Sequence, residues 1–138
     1  MFDSNACPPG LLVVSRFDVA PDDADEFAGR ARAAIDVLSA CAGFIDAELG
    51  QSTDDPRLRV IAVRWTGIGA YRRALSSFDV KVTAVPLLSI SIDEPSAYEV
   101  VHVRDASGVV EATSGLAADS ESARLGEAAG PSVPGVVA

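Results

Sequence analysis

Few side chains in this sequence combine a reactive type with a telling position. Trp65 and Tyr71 lie six residues apart, an indole and a phenol that share one pocket if a strand ends at the first and a helix carries the second. An aromatic wall of that kind holds a flat ring while the phenol donates a hydrogen bond. The same pair also suits a core between helix and sheet, and spacing alone leaves both readings open. Ser15 is a polar residue within an apolar stretch, where it orients a ligand or bonds locally or to a buried water. His102 is the only histidine. It is a candidate general base, or simply the end of a strand. Arg72, Arg73, Asp79 and Lys81 crowd one region, either for an anionic ligand group or as solvated surface charge. Phe78, beside them, is a candidate for a pocket mouth. Cys7 and Cys41 make neither a disulfide framework nor a zinc site. Cys41 has no histidine or basic neighbour in sequence and reads as inert. No Gly-rich phosphate loop, metal-ligand spacing or Ser-His-Asp order is visible, so neither metal nor bound cofactor is expected.

The background of these residues is acidic and apolar. Twenty acids against 11 bases give the 138-residue chain a net charge of −9. Nucleic acid and anionic lipid are poor partners for such a surface. The apolar fraction of 49% supports a packed core. No apolar run approaches the roughly 18 residues of a membrane span, and no basic stretch followed by an apolar one opens the chain. A cytoplasmic protein with reduced thiols is the expectation. Residues 105–138 hold five acids against Arg124 and no aromatic residue. They read as a disordered acidic tail. Residues 1–10, with Pro8-Pro9-Gly10, read as a loose leader, which leaves one domain over about 11–104.

The elements that must position the candidate residues follow from periodicity. Leu11 to Val19 is β-branched and apolar and stops at Pro21, a strand. Asp23 and Glu26 have capping-box spacing. Ala24, Phe27, Ala28, Ala31, Ala34, Ile35 and Leu38 then recur every three or four residues, an amphipathic helix that ends before Gly43. Phe44 to Gln51 reads as a second strand with Asp46 and Glu48 on its polar face. Ser52 to Pro56 is a hairpin loop and Arg57 to Trp65 a third strand. A short helix follows, with Ile68, Tyr71 and Leu75 on one face. Residues 77–92 read as short helical pieces around Pro86, with Ser77 as a cap. Asp93 to Ser96 is a turn, and Ala97 to Val103 the last strand.

Strand, helix, strand, strand, helix, strand gives an α+β, ferredoxin-like βαββαβ fold: a four-stranded antiparallel sheet with helices on one face. Strand parity adds an inference. Val13, Ser15 and Phe17 share a face with Ile61, Val63 and Trp65, while Leu12, Val14, Leu58, Val60 and Ala62 share the other. Helices cover only one of two apolar faces, so a homodimer through the second is expected. Arg16 and Arg64 lie on that second face and need acidic partners, for which Asp46 and Glu48 are candidates.

This pattern resembles the antibiotic-biosynthesis monooxygenase family over about residues 11–103. The carriers are Leu12 to Phe17, Gly43-Phe44, Val60 to Trp65, Gly69 to Leu75 and Tyr98 to Val101. The resemblance implies dimers of ferredoxin-like subunits forming an α+β barrel. It also implies a pocket lined by tryptophan and tyrosine at the spacing of Trp65 and Tyr71. Ile61 stands where such enzymes carry an asparagine. Haem-degrading relatives carry a histidine on the helix after the tryptophan. This chain has none between Trp65 and Val101, and Ser15 stands at their first-strand asparagine, so haem degradation is not expected.

Two functions follow. The first is a cofactor-independent monooxygenase of an aromatic or polyketide-like molecule, in which the deprotonated substrate gives an electron to dioxygen. Trp65, Phe17 and Phe78 would pack the ring, and Tyr71 and Ser15 would hold its polar groups. The second is a non-catalytic dimeric binding or accessory domain using the same pocket, which the loss of the asparagine and the lack of a base favour.

Overall fold

A computed structural model describes residues 10–112. These fall into two units, Gly10–Glu99 and 100–112. Cys7, nearly all of the expected leader and residues 113–138 of the expected tail lie outside the described residues.

The larger unit runs β1 (Leu11–Asp18), a 3-10 turn (Pro21–Asp23), α1 (Ala24–Ser39), β2 (Phe44–Gln51) and β3 (Leu58–Trp65). It continues through α2 (Ile68–Leu75), α3 (Phe78–Thr83), α4 (Val85–Leu88) and β4 (Ala97–Glu99). The four strands form one antiparallel sheet in the order β2-β3-β1-β4, the ferredoxin-like arrangement. Alternation decides which side chains enter the core. Leu11, Val13, Ser15 and Phe17 of β1 and Ile61, Val63 and Trp65 of β3 are buried. They pack with Phe27, Ala31, Ala34 and Leu38 of α1, with Ala70 and Ala74 of α2, and with Val80 and Leu87 of the short helices. On the opposite face, Leu12, Val14, Leu58, Val60 and Ala62 are half-buried.

The register between β1 and β3 is unbroken from Leu11–Trp65 to Asp18–Leu58. Beside β3, β2 carries a bulge between Phe44 and Asp46. The extra residue, Ile45, is exposed, and the bulge sets Phe44 and Ala47 on the core side together. Ser52 shapes the loop to β3, its hydroxyl accepting from the Asp54 and Asp55 amides. Gly43 opens β2 at φ +90°, and a Cβ there would collide with the Ala70 side chain. Glycine is thus required on two counts, backbone conformation and the close approach of α2.

Several sequence expectations need correction. Asp23 stands at the N-cap of α1, but its side chain caps nothing. It already belongs to the 3-10 turn, with φ −100° and ψ 2°, and not to the extended backbone that capping serine or aspartate usually adopts. The buried stripe of α2 is Ala70 and Ala74, with Tyr71 and Leu75 at its margin and Ile68 exposed. Small residues face inward because the sheet end at Gly43 comes so close. Arg64 does pair with Asp46, at 3.5 Å. Arg16 finds its partner instead on the turn before β4, where both Glu94 oxygens accept from its guanidinium at 2.7 Å.

The last strand is also shorter than expected. β4 pairs with β1 from Val13–Ala97 only to Leu11–Glu99, and Leu11 is the first residue of β1. With no further partner the pairing stops. In the smaller unit, β5 (His102–Asp105) pairs with β6 (Gly108–Glu111) as a hairpin. Asp105 turns it, its carboxylate accepting from the Ser107 amide and hydroxyl and from the Gly108 amide. Residues 105–111, expected as the start of a disordered tail, are therefore half of a hairpin. The expectation of short helical pieces over 77–92 holds in α3 and α4, with Ser77 capping α3 through the Val80 amide.

Candidate functional site

Between the sheet and its helices lies a cavity of about 10 Å³. That is room for about one water molecule. Its floor is the inward face of the two central strands: Val13 and Ser15 from β1, and Ile61, Val63 and Trp65 from β3. Leu38 of α1 closes one side, and Tyr71 of α2 and Leu88 of α4 complete the wall. The floor and Leu38 are buried, whereas Tyr71 and Leu88 are partly exposed.

Three of the five residues expected at a site therefore meet here. Trp65 ends β3, where parity turns it inward, and is 1% exposed. Phe44 meets its indole edge-on at a centroid distance of 5.7 Å, and Tyr71 lies 6.0 Å away, tilted by 48°. Burial holds the Tyr71 phenol above its ordinary pKa of 10.0, so it stays a neutral hydrogen-bond donor through the neutral range. Ser15 is the one buried polar residue among the described residues, 6% exposed.

The other two lie elsewhere. Phe17 is on the same face of β1 as Ser15, but its ring packs on Phe27 at 5.0 Å. Phe78 opens α3 and is 77% exposed. Neither lines the cavity. Arg72, Arg73, Asp79 and Lys81 are exposed as well. His102 stands at the start of β5, half exposed, with Nδ1 2.7 Å from the Glu111 carboxylate across the hairpin. Among the described residues no cluster of three or more His, Cys, Asp or Glu side chains could hold a metal ion, and no helix is long and apolar enough to cross a membrane.

Leu38 and Leu88 were not anticipated as wall residues. Leu38 was legible as the last inward position of α1. Leu88 was not, because its place depends on how two helical turns around Pro86 fold back.

Chemically, the cavity surface is apolar, with Ser15 and Tyr71 as the hydroxyl-bearing residues of its lining and no charged side chain among them. It can hold an apolar body and orient an oxygen, and it provides no carboxylate or imidazole as a base.

The model of the antibiotic biosynthesis monooxygenase family matches residues 10–84. No curated protein sequence matches. Among solved structures, a variant of SnoaB, a cofactor-independent oxygenase from Streptomyces nogalater, is 26% identical, covering 65% of this chain and 91% of its own, with TM-score 0.57. A conserved protein from Methanosarcina mazei Go1 is 23% identical over 66% of this chain and 92% of its own, also at 0.57. Rv0793 from Mycobacterium tuberculosis is 18% identical over 70% and 98%, at 0.56. These likenesses lie in the fold.

Proposed function

The chain belongs to the antibiotic biosynthesis monooxygenase family, and from that membership we propose that it is a cofactor-independent monooxygenase of an aromatic, polyketide-like small molecule. The observation that carries the reading is the cavity beside Tyr71, whose lining brings Trp65, Tyr71 and Ser15 together among apolar residues.

In this reading the substrate brings the redox chemistry. A phenolic or anthrone-like ring loses a proton to water, and the resulting anion gives an electron to dioxygen. Recombination forms a carbon–oxygen bond as a hydroperoxide, and loss of water leaves a carbonyl at the ring carbon. One oxygen atom ends in product and one in water. The protein's share is a dry pocket, orientation by Trp65, and hydrogen bonds from Tyr71 and Ser15 to the developing oxygen charge.

A cavity of one water's size admits a polycyclic ring only after its wall moves. Tyr71 and Leu88 are the partly exposed lining residues, and Leu88 ends a four-residue helix. Outward movement of these two opens the site. The opening lowers apparent affinity by the fraction of molecules that are closed.

The active form is a homodimer joined through the second sheet face, where Leu12, Val14, Val60 and Ala62 await a cover. Such an interface buries more than about 1,000 Å². A monomer by light scattering at micromolar concentration refutes it.

A non-catalytic binding domain is the second reading, favoured by Ile61 and by the absence of a base from the cavity lining. Oxygen uptake with anthrones and naphthols, in metal-stripped and cofactor-free buffer, separates the two. Uptake that requires this protein and saturates with substrate supports the enzyme. Binding without uptake supports the second reading.

A further inference from the structure

The short helices α3 and α4 are apolar on their outer side as well as their inner one. Val80, Ala84 and Leu87 are fully buried in the core, where both helices pack beside α1. Phe78, Val82, Pro86 and Ile90 recur at every fourth position and are exposed, Phe78 by 77%, Val82 by 58% and Ile90 by 61%. The backbone stays helical between the two elements, with Ala84 at φ −95° and ψ −45° and its amide donating to the Val80 carbonyl. Positions four apart on a helix form a ridge. Single exposed apolar residues are ordinary, whereas four in succession mark a contact surface. The ridge belongs to the helices that cover one face of the sheet, so a dimer joined through the other face leaves it open.

Charge singles out the same stretch. From 66 to 92 the chain holds Arg72, Arg73 and Lys81 against Asp79, a net of +2 in a chain of net −9. These three bases are exposed and form no ion pair among the described residues, whereas Arg16, Arg57 and Arg64 each hold an acid.

Size and chemistry narrow the occupant. The four side chains offer roughly 350 Å² of apolar surface, a patch of functional size on a monomer. That is well under the ~800 Å² per partner of a stable dimer, which argues against a second copy. A flat anionic membrane would draw the chain's other acids toward its surface, whereas a single helix meets only the local positive charge. Helices offer no free strand edge, so recognition falls to side chains.

We propose that the ridge Phe78-Val82-Pro86-Ile90, with Arg72, Arg73 and Lys81 beside it, docks one acidic amphipathic helix of a partner protein. Its apolar face covers the ridge and its flanking carboxylates meet the free bases. The inference stands apart from the aromatic-pocket reading and survives its failure. It places the partner on α4, the helix that carries Leu88 of the cavity wall.

The probe is a fluorescein-labelled 18-residue helical peptide of leucine, alanine and glutamate, with leucines at three- and four-residue spacing, and a second peptide with lysine for every glutamate. Anisotropy is read against the full chain at neutral pH and physiological salt. The acidic peptide should bind saturably, and the lysine peptide about tenfold more weakly, the worth of two or three exposed ion pairs. Phe78→Ser and the pair Arg72→Glu with Arg73→Glu should each weaken the acidic peptide about tenfold. Their melting should match the parent's, because these side chains are exposed. Val82→Ser repeats the test should Phe78→Ser melt lower. Val109→Ser, which removes an exposed apolar residue outside the ridge, should leave binding unchanged. Equal binding of the two peptides, binding that survives in both Phe78→Ser and Val82→Ser, or equal loss in Val109→Ser overturns the proposal. So does an acidic peptide that fails to bind. Two other results overturn it by naming another occupant: a change of oligomeric state in Phe78→Ser assigns the ridge to a second copy, and sedimentation with phosphatidylserine vesicles that Phe78→Ser abolishes assigns it to a membrane.

Discussion

The rings of Trp65 and Tyr71 stand 6.0 Å apart, tilted by 48°, one at the floor of the cavity and the other at its rim. The indole is 1% exposed and also carries an edge-on contact from Phe44, so it serves the core and the cavity at once. Trp65→Ala should therefore lose about 3–5 kcal/mol of stability, the usual cost of truncating a packed core aromatic. Denaturant unfolding of the two proteins measures it. A loss near 1 kcal/mol would mean that the indole belongs to a pocket wall with little packing behind it.

Tyr71 separates the two roles. Tyr71→Phe removes only the hydroxyl, so melting should change little while 2-naphthol binding weakens by about 0.5–1.5 kcal/mol. Burial raises the phenol's pKa above 10.0, which fixes a sign. The unfolded chain gives up this proton first as pH rises, so the folded state loses stability from about pH 10 upward. That alkaline loss should be smaller in Tyr71→Phe, as pH-dependent melts of both proteins would show.

Glu94 acts at the other end of the pH scale. Its hydrogen bonds from the Arg16 guanidinium hold its carboxyl below the ordinary value of 4.5. Its contribution is present above that ordinary value and fades as pH falls through the lowered one. Glu94→Gln should melt lower than the parent at neutral pH, and the gap should close on acidification. A gap that stays constant from neutral to acid pH would show that the charge of this pair is immaterial.

Gly43 joins β2 to α2 by having no side chain. At φ +90° a Cβ is strained, and it would also strike Ala70. Gly43→Ala should cost about 1–3 kcal/mol from backbone strain, with a comparable cost from crowding. Ala70→Gly in the same chain should return the crowding part and leave the strain. Equal stability of Gly43→Ala with and without Ala70→Gly would show that α2 simply moves aside.

The sequence by itself determined what depends on local repetition. Alternation along Leu11 to Asp18 and Leu58 to Trp65 sorted inward from outward residues, and the three-four spacing from Ala24 to Leu38 fixed the face of α1. These periods are geometric properties of the elements, so Ser15, Trp65 and Ile61 could be put on one face before any contact was known. Tertiary structure alone decided the rest. Whether Phe17 and Phe78 reach the cavity depends on how each ring packs, and Phe17 meets Phe27 while Phe78 is left exposed outside the cavity lining. Glu94 reaches Arg16 across 78 positions of sequence, a pairing that no local period encodes. The end of β4 at Glu99 was set by the start of its partner at Leu11, and the wall at Leu88 by the folding back of α3 and α4. Each is a relation between segments that only packing brings together.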